Sequence, residues 1–219
     1  MNDEPVDKPI RKFSYDKMKP ILALRQIVER ISNKENMVVC EVGCFDAITT
    51  FCYADIVKKY NGTIFLIDWF FGSAGTPEHY HGWRPEQQEQ LYTHVMTKII
   101  KQDLHNTITV IIGDSKESAA YIPDNYLDIC FLDADHRYDD TNKNIKAYLP
   151  KIKAGGILCG HDCEDIRLAN TFPDNALNVD YYRGRHAGVI QAVYDNFGYE
   201  IEKVLDPQGQ GVPLWLKQL

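Results

Sequence analysis

"MVVCEVGCFDAITTF", residues 37–51, is an apolar run that meets a glutamate, turns at a glycine, and resumes with no second glycine. Val38, Val39, Cys40 and Val42 read as a strand buried on both faces. Glu41-Val42-Gly43 closes it, and a residue without Cβ lets the backbone approach a ligand. From Thr49 to Tyr60 the pattern becomes helical and stops at Asn61-Gly62. Strand, turn and helix in that order open a βαβ unit, and the residues in the turn decide what it binds.

The same alternation continues along the chain. Further strands are expected at 63–68, 107–112, 127–133, 156–160, 200–205 and 212–216, and the first five strands are nearly continuous apolar runs. Helical spacing recurs at Ile21, Leu24, Val28 and Ile31, over 84–101, over 139–149, and at Val189, Val193 and Phe197 before Gly198. This predicts an α/β fold: a Rossmann-like, doubly wound, seven-stranded, mostly parallel sheet with helices on both faces. Only Asp206-Pro207-Gln208-Gly209-Gln210-Gly211 separates the last two strands, so they form a C-terminal antiparallel hairpin at one edge. The expected organisation is a single domain over 1–219, with 1–35 an N-terminal extension and helix. Two long irregular stretches, 70–83 and 163–185, have the length of lids or substrate loops.

Bulk properties exclude several classes. A formal net charge of -7 argues against nucleic-acid binding, which normally needs a basic surface. No run approaches the roughly 18 apolar residues of a membrane span, and the polar start lacks the apolar core of a signal peptide. The expected setting is cytoplasmic, with no membrane partner. The six cysteines contain no C-x-x-C pair and read as reduced, structural residues.

Ligands of open α/β sheets bind beyond the carboxyl ends of the strands. There the sequence places Glu41-Val42-Gly43, Asp68-Trp69, Gly113-Asp114-Ser115, Asp133-Ala134-Asp135-His136 and His161-Asp162. Each parallel strand delivers a carboxylate to one rim. Asp68 follows Gly43 by about 25 residues, close to the spacing of an acid that accepts ribose hydroxyls. Asp114 and Ser115 suit an adenine edge, although Asp114 also reads as a helix N-cap. Glu41 and Asp133 would face a cationic part of the ligand. A dinucleotide turn requires G-x-G-x-x-G to clear space for pyrophosphate. Here Cys44, Phe45, Asp46 and Ala47 follow Gly43, and an acid is electrostatically wrong beside phosphates. S-adenosylmethionine, with a sulfonium, an ammonium and no phosphate, suits the turn.

With these residues in place, 37–162 resembles a class I S-adenosylmethionine-dependent methyltransferase. "EVGCFDAITT" is similar to the E-[IV]-G-x-[FY]-x-G-x-[ST]-T turn of one small branch, with Ala47 at the usual second glycine. "FLDADHRYDD…YLPKIKAGGILCGHD" resembles that branch most specifically. The branch in turn resembles metal-dependent O-methyltransferases of the catechol and caffeoyl-CoA type. That likeness implies a divalent cation such as Mg²⁺ held by Asp133 and Asp162. Cys163 stands at the family's Asn position, which leaves His161 or Glu164 for the third contact. His136 stands at the family's catalytic lysine.

The resulting expectations are specific. Cofactor contacts are Glu41, Gly43, Asp68, Trp69, Asp114, Ser115 and Asp133. The catalytic residues are His136, as general base, and Asp133; the metal ligands are Asp133, Asp162 and His161. The acceptor is a small-molecule hydroxyl under an aromatic lid at 70–83, and homo-oligomerisation stays open. A non-catalytic cofactor-binding module, an oxidoreductase, and a metal-dependent hydrolase built on Asp133, His136, His161 and Asp162 are the competing readings.

Overall fold

The structure is a computed structural model that describes residues 21–32, 34–70, 85–207 and 212–219. Most of the expected aromatic lid, 71–83, lies outside the described residues, as does the polar start at 1–20. The helices are α1 (Leu22–Arg30), α2 (Ile48–Lys59), α3 (Pro85–Lys101), α4 (Ser115–Ser118), α5 (Tyr138–Tyr148), α6 (Asp174–Leu177) and α7 (Ala187–Phe197). The strands are β1 (Val38–Val42), β2 (Thr63–Asp68), β3 (Ile108–Ile112), β4 (Leu127–Leu132), β5 (Ile152–Gly160), β6 (Glu202–Val204) and β7 (Leu214–Gln218).

The strands form one sheet in the order β3-β2-β1-β4-β5-β7-β6. The first five run parallel, while β7 is antiparallel to both β5 and β6. The chain winds outward from β1 to β3, then returns past β1 to β4. The winding therefore reverses between β1 and β4, where open α/β sheets form their ligand crevice.

Side chains alternate across the sheet. Val39, Ile64, Leu66, Ile129 and Phe131 face α1, α2 and α3 and are fully buried with Leu24, Tyr53 and Val95. Cys40, Val42, Cys130 and Leu158 face α5 and α7 and pack with Ile145, Tyr148 and Ile190. Truncating one such residue to alanine costs about 2–5 kcal/mol, so both helical layers hold the rim in place.

The seven-stranded fold expected from the sequence is present, with shifted details. β3 is an edge strand, with Thr109 and Ile112 exposed, so its apolar run does not mean burial on two faces. β5 begins at Ile152 rather than 156, because Leu127 pairs with Ile152 and Ile129 with Ile157, which requires a bulge in β5. The segment 163–185 is not wholly irregular, since it contains α6 and a short 3-10 turn at Ile166–Leu168. No described helix is long and apolar enough to cross a membrane.

Candidate active site

Gly43 sits at the crevice with φ +86°, where a Cβ would lie 2.2 Å from the Asp133 carbonyl oxygen and 2.6 Å from Ala134 Cα. The glycine lines the cleft, but the close approach that excludes a side chain is to the end of β4. The second glycine is replaced by strained backbone. Ala47 takes φ 57° as the N-cap of α2, and Phe45 takes φ 49°. For residues bearing Cβ, such left-handed conformations cost about 1–2 kcal/mol each. Asp68 offsets part of that cost, since its Oδ2 accepts from the Phe45 amide at 2.9 Å and its Oδ1 from the Phe70 amide at 2.7 Å. Burial raises the Asp68 pKa, and these amide bonds oppose the rise.

Gly43, Asp68, Trp69, Asp114, Ser115 and Asp133, all expected at the cofactor site, line one cleft. Phe45, Ile67 and Leu91 add apolar surface to it. Asp114 also caps α4, accepting from the amides of Lys116 at 3.0 Å and Glu117 at 3.2 Å. Burial pushes the Asp114 carboxyl up, but the Lys116 ammonium at 2.9 Å and the amides outweigh it, so its pKa is lowered. Lys116, Arg137 and Asp140 line the cleft without having been anticipated there. Asp140 sits 3.1 Å from Arg137 and 3.6 Å from Lys116. Asp135 also borders the cleft, but Arg137 occupies its carboxylate.

Glu41 does not line the cleft. It is 2% exposed and projects towards α2, where Thr50 Oγ1 donates to it at 2.5 Å and the Tyr53 hydroxyl at 2.9 Å. Burial pushes its pKa up to about 8, against the opposing pull of those two donors. The alternation that turns Val39 towards α2 turns Glu41 the same way.

Beyond Asp133 the rim becomes a cluster of histidines and carboxylates centred on Asp162. Asp162 itself holds a left-handed φ of 59°, an uncommon conformation that recurs at functional sites. Its Oδ2 is 3.0 Å from His136 Nε2, and its Oδ1 is 3.2 Å from His161 Nδ1 and 3.4 Å from His186 Nδ1. Asp180 Oδ1 lies 2.5 Å from His136 Nδ1, and Glu164 Oε1 lies 2.9 Å from His186 Nδ1. The Asp133 carboxylate faces His161 at 3.8 Å and His136 at 4.0 Å, beyond hydrogen-bond reach of either.

The electrostatics follow from this crowding. Burial would lower the His136 pKa, but hydrogen bonds to Asp162 and Asp180 raise it well above the ordinary value. Burial likewise opposes charge on His161, while Asp162 and Asp133 raise its pKa to about 9. Burial raises Asp162, yet His136 and His161 hold it well below the usual carboxylate range. Asp133 is pushed up to about 6, first by burial, with the histidines pulling down and Asp162 pushing up. With both ring nitrogens against carboxylates, this arrangement favours the charged form of His136. The expectation that it serves as a free base meets that obstacle.

A family described as a methyltransferase domain matches residues 40–163. The chain belongs to that family. The match spans the methyltransferase crevice from β1 to the residue after Asp162, so the class I resemblance read from the turn and from β4–β5 holds. Solved structures agree on the fold. The O-methyltransferase NovP is 16% identical with a TM-score of 0.60, covering 90% of this chain and 78% of that one. CalS11, a TDP-rhamnose 3'-O-methyltransferase of calicheamicin biosynthesis, is 17% identical with a TM-score of 0.58, covering 90% and 78%. The SAH-bound methyltransferase PaMTH1 of Podospora anserina is 17% identical with a TM-score of 0.57, covering 93% and 81%. No curated protein matches the sequence.

The methyltransferase rim has donors for the cation that the resemblance implies. Asp133, His161 and Asp162 offer ligand atoms all within 4.8 Å of one another, as do His136, Asp162 and His186. Cys163 is 1% exposed in the core, and burial pushes its thiol up to about 12, so it stays a protonated apolar residue rather than a ligand. His186 and Asp180 were not visible as site residues in the sequence. They arrive from the loop before α7, at least 18 positions beyond the last strand-end motif, and no motif marks them.

Proposed function

We propose that this methyltransferase transfers the methyl group of S-adenosylmethionine to a hydroxyl of a small molecule, assisted by a divalent cation. The observation that carries the reading is that Asp133 belongs both to the cofactor cleft and to a cation-ligand cluster. A donor pocket and a site for activating a hydroxyl then share one carboxylate. The O-methyltransferase activities of NovP and CalS11, which share the fold, support the same reaction class.

Within this reading, Asp68 takes the ribose hydroxyls with the lone pairs not used by Phe45 and Phe70. Asp114 and Ser115 border the adenine, with Trp69 and Phe70 as the neighbouring wall. Glu41 acts from behind the turn, fixing α2 through Thr50 and Tyr53 rather than touching the cofactor. S-adenosylmethionine supplies an already activated methyl group, so alignment of the acceptor is the protein's main contribution, worth several kcal/mol. Asp162 would hold the cation together with one of its two neighbouring donor pairs, Asp133–His161 or His136–His186, and the cation would supply acidity to the acceptor hydroxyl. Asp133 accepts no hydrogen bond from the described residues, so its carboxylate is the group free to take the acceptor proton. His136, whose Nε2 lies 3.0 Å from Asp162 and whose Nδ1 is held by Asp180, orients the Asp162 carboxylate.

The test is a labelled-methyl transfer assay against a panel of small hydroxyl acceptors, with and without chelator, beside calorimetry with S-adenosylhomocysteine and NAD. Transfer to oxygen with a heat for S-adenosylhomocysteine supports the reading. Heat with NAD alone, or transfer only to nitrogen acceptors, overturns it.

A further inference from the structure

The geometry points to a transition-metal site of two imidazoles and one carboxylate, His136, Asp162 and His186, that prefers Zn²⁺ or Co²⁺ to Mg²⁺. This rests on the cation-assisted reading above, chooses between the two donor pairs around Asp162, and gives the cation a chemical class. The three residues offer ligand atoms within 4.8 Å of one another, and their side chains are only 25%, 9% and 15% exposed. His136 Nε2 and Asp162 Oδ2 are 3.0 Å apart. Ligand atoms bound at about 2.0–2.2 Å to one ion are separated by a similar distance.

Second-layer contacts separate this triad from Asp133–His161–Asp162. A ligating histidine almost always gives its other ring N–H to a carboxylate or carbonyl, which fixes the tautomer and the ring plane. Asp180 does this for His136 at Nδ1, which leaves Nε2 turned to Asp162. Glu164 fixes the His186 ring at Nδ1, the nitrogen that also faces Asp162 at 3.4 Å, and holds the His186 backbone amide. Among the described residues, the His161 ring has Asp162 alone within hydrogen-bond distance. The two supported rings also pack edge to face with centroids 4.5 Å apart, and Tyr181 lies 4.9 Å from His186. An aromatic wall of this kind limits water around an ion.

The donor types decide the ion. Mg²⁺ takes oxygen ligands in octahedral geometry and keeps several waters. Imidazole suits Zn²⁺, Fe²⁺ and Ni²⁺, and affinity at nitrogen–oxygen sites rises from Mn²⁺ through Co²⁺. Carboxylates dominate the metal sites implied for related O-methyltransferases. Here two of three ligands are imidazoles, and they come from opposite ends of the site: one follows β4, the other directly precedes α7. The packing that brings them together is close, since a Cβ on Gly188 would fall 2.5 Å from the His136 carbonyl oxygen.

Full-length protein stripped with EDTA would be titrated calorimetrically with MgCl₂, ZnCl₂ and CoCl₂, with visible spectra recorded for Co²⁺. We expect Zn²⁺ and Co²⁺ to bind at least about 100-fold more tightly than Mg²⁺, with Co²⁺ bands that report nitrogen ligation. His136→Ala and His186→Ala should each weaken Zn²⁺ at least about tenfold, the range seen for lost metal contacts. His105→Ala, an exposed histidine beside Asp103 before β3, should bind as wild type does. Circular dichroism checks folding, and His186→Asn replaces His186→Ala if the latter melts early. Mg²⁺ binding as tight as Co²⁺, or Zn²⁺ affinity that responds to His161→Ala but to neither His136→Ala nor His186→Ala, overturns the assignment. S-adenosylhomocysteine heat without metal heat sinks this inference and the cation assistance but leaves methyl transfer standing, whereas metal heat without S-adenosylhomocysteine heat sinks the proposed transfer reaction and leaves the site standing.

Discussion

Gly43 and Asp133 meet backbone to backbone at the point where the sheet reverses its winding. A Cβ on Gly43 would lie 2.2 Å from the Asp133 carbonyl oxygen, and the glycine already holds φ +86°. The contact ties the cofactor turn of β1 to the residue that begins the cation cluster. It is buttressed by the Asp133 amide on the Val42 carbonyl at 2.8 Å and the Gly43 amide on the Ile67 carbonyl at 2.8 Å.

Gly43→Ala therefore has nowhere to put its methyl group and must adopt a strained φ. Overpacking against fixed backbone costs about 3 kcal/mol. For a chain of this size the expected fall in Tm is roughly 6–12 °C, with S-adenosylhomocysteine binding lost. A melting curve within about two degrees of wild type would mean that the β1–β4 contact is looser than the geometry requires.

Asp68→Ala removes the acceptor for two loop amides and the ligand for the ribose. Binding of S-adenosylhomocysteine should weaken at least about tenfold, equivalent to about 1.4 kcal/mol. Calorimetry on the purified variant measures this directly, and unchanged affinity would remove Asp68 from the cofactor site.

Asp133→Asn keeps the shape of the side chain and loses its capacity to accept a proton. Removing a general base typically lowers turnover about 10²–10⁴-fold. The expected signature is a fall in kcat far larger than any change in KM for the acceptor. A variant with equal losses in both, or with none, would assign Asp133 to binding alone.

Glu41 makes stability depend on pH. Its folded pKa, raised to about 8 by burial, lies above the ordinary value of 4.5. Below the ordinary value both folded and unfolded chains are protonated, and the group costs the fold nothing. As pH rises towards 8 the unfolded chain ionises while the fold must keep the proton, so stability falls, by an amount on the order of a few kcal/mol. Glu41→Gln cannot ionise. Its Tm relative to wild type should rise steadily from pH 5 to pH 8.5, as read by thermal melts across buffers. A difference that stays flat over that range would show that Glu41 is charged in the fold.

The methyltransferase sheet was legible because each link in its signal is local. Continuous apolar runs such as Val38–Val42 and Leu127–Leu132 report strands, and acids just past them report the rim. Six of the seven expected cofactor residues line one cleft for that reason. Glu41 is the exception, and its side was readable in principle, since it shares strand parity with buried Val39. The apolar run of β3 misled because sequence reports hydrophobicity, and only neighbours report which strand is at the edge.

From the order of its residues alone, this chain has a doubly wound sheet with an adenosyl-type turn and a rim of acids, since strand periodicity and turn chemistry act over a few positions. The pairing of His136 with Asp162, Asp180 and the His186 ring, and of His186 with Glu164, was decided by tertiary structure. Those groups sit up to 50 residues apart and meet only because α7 packs against the loop after β4. Charge on a side chain depends on who surrounds it in space, and a linear pattern carries no record of that.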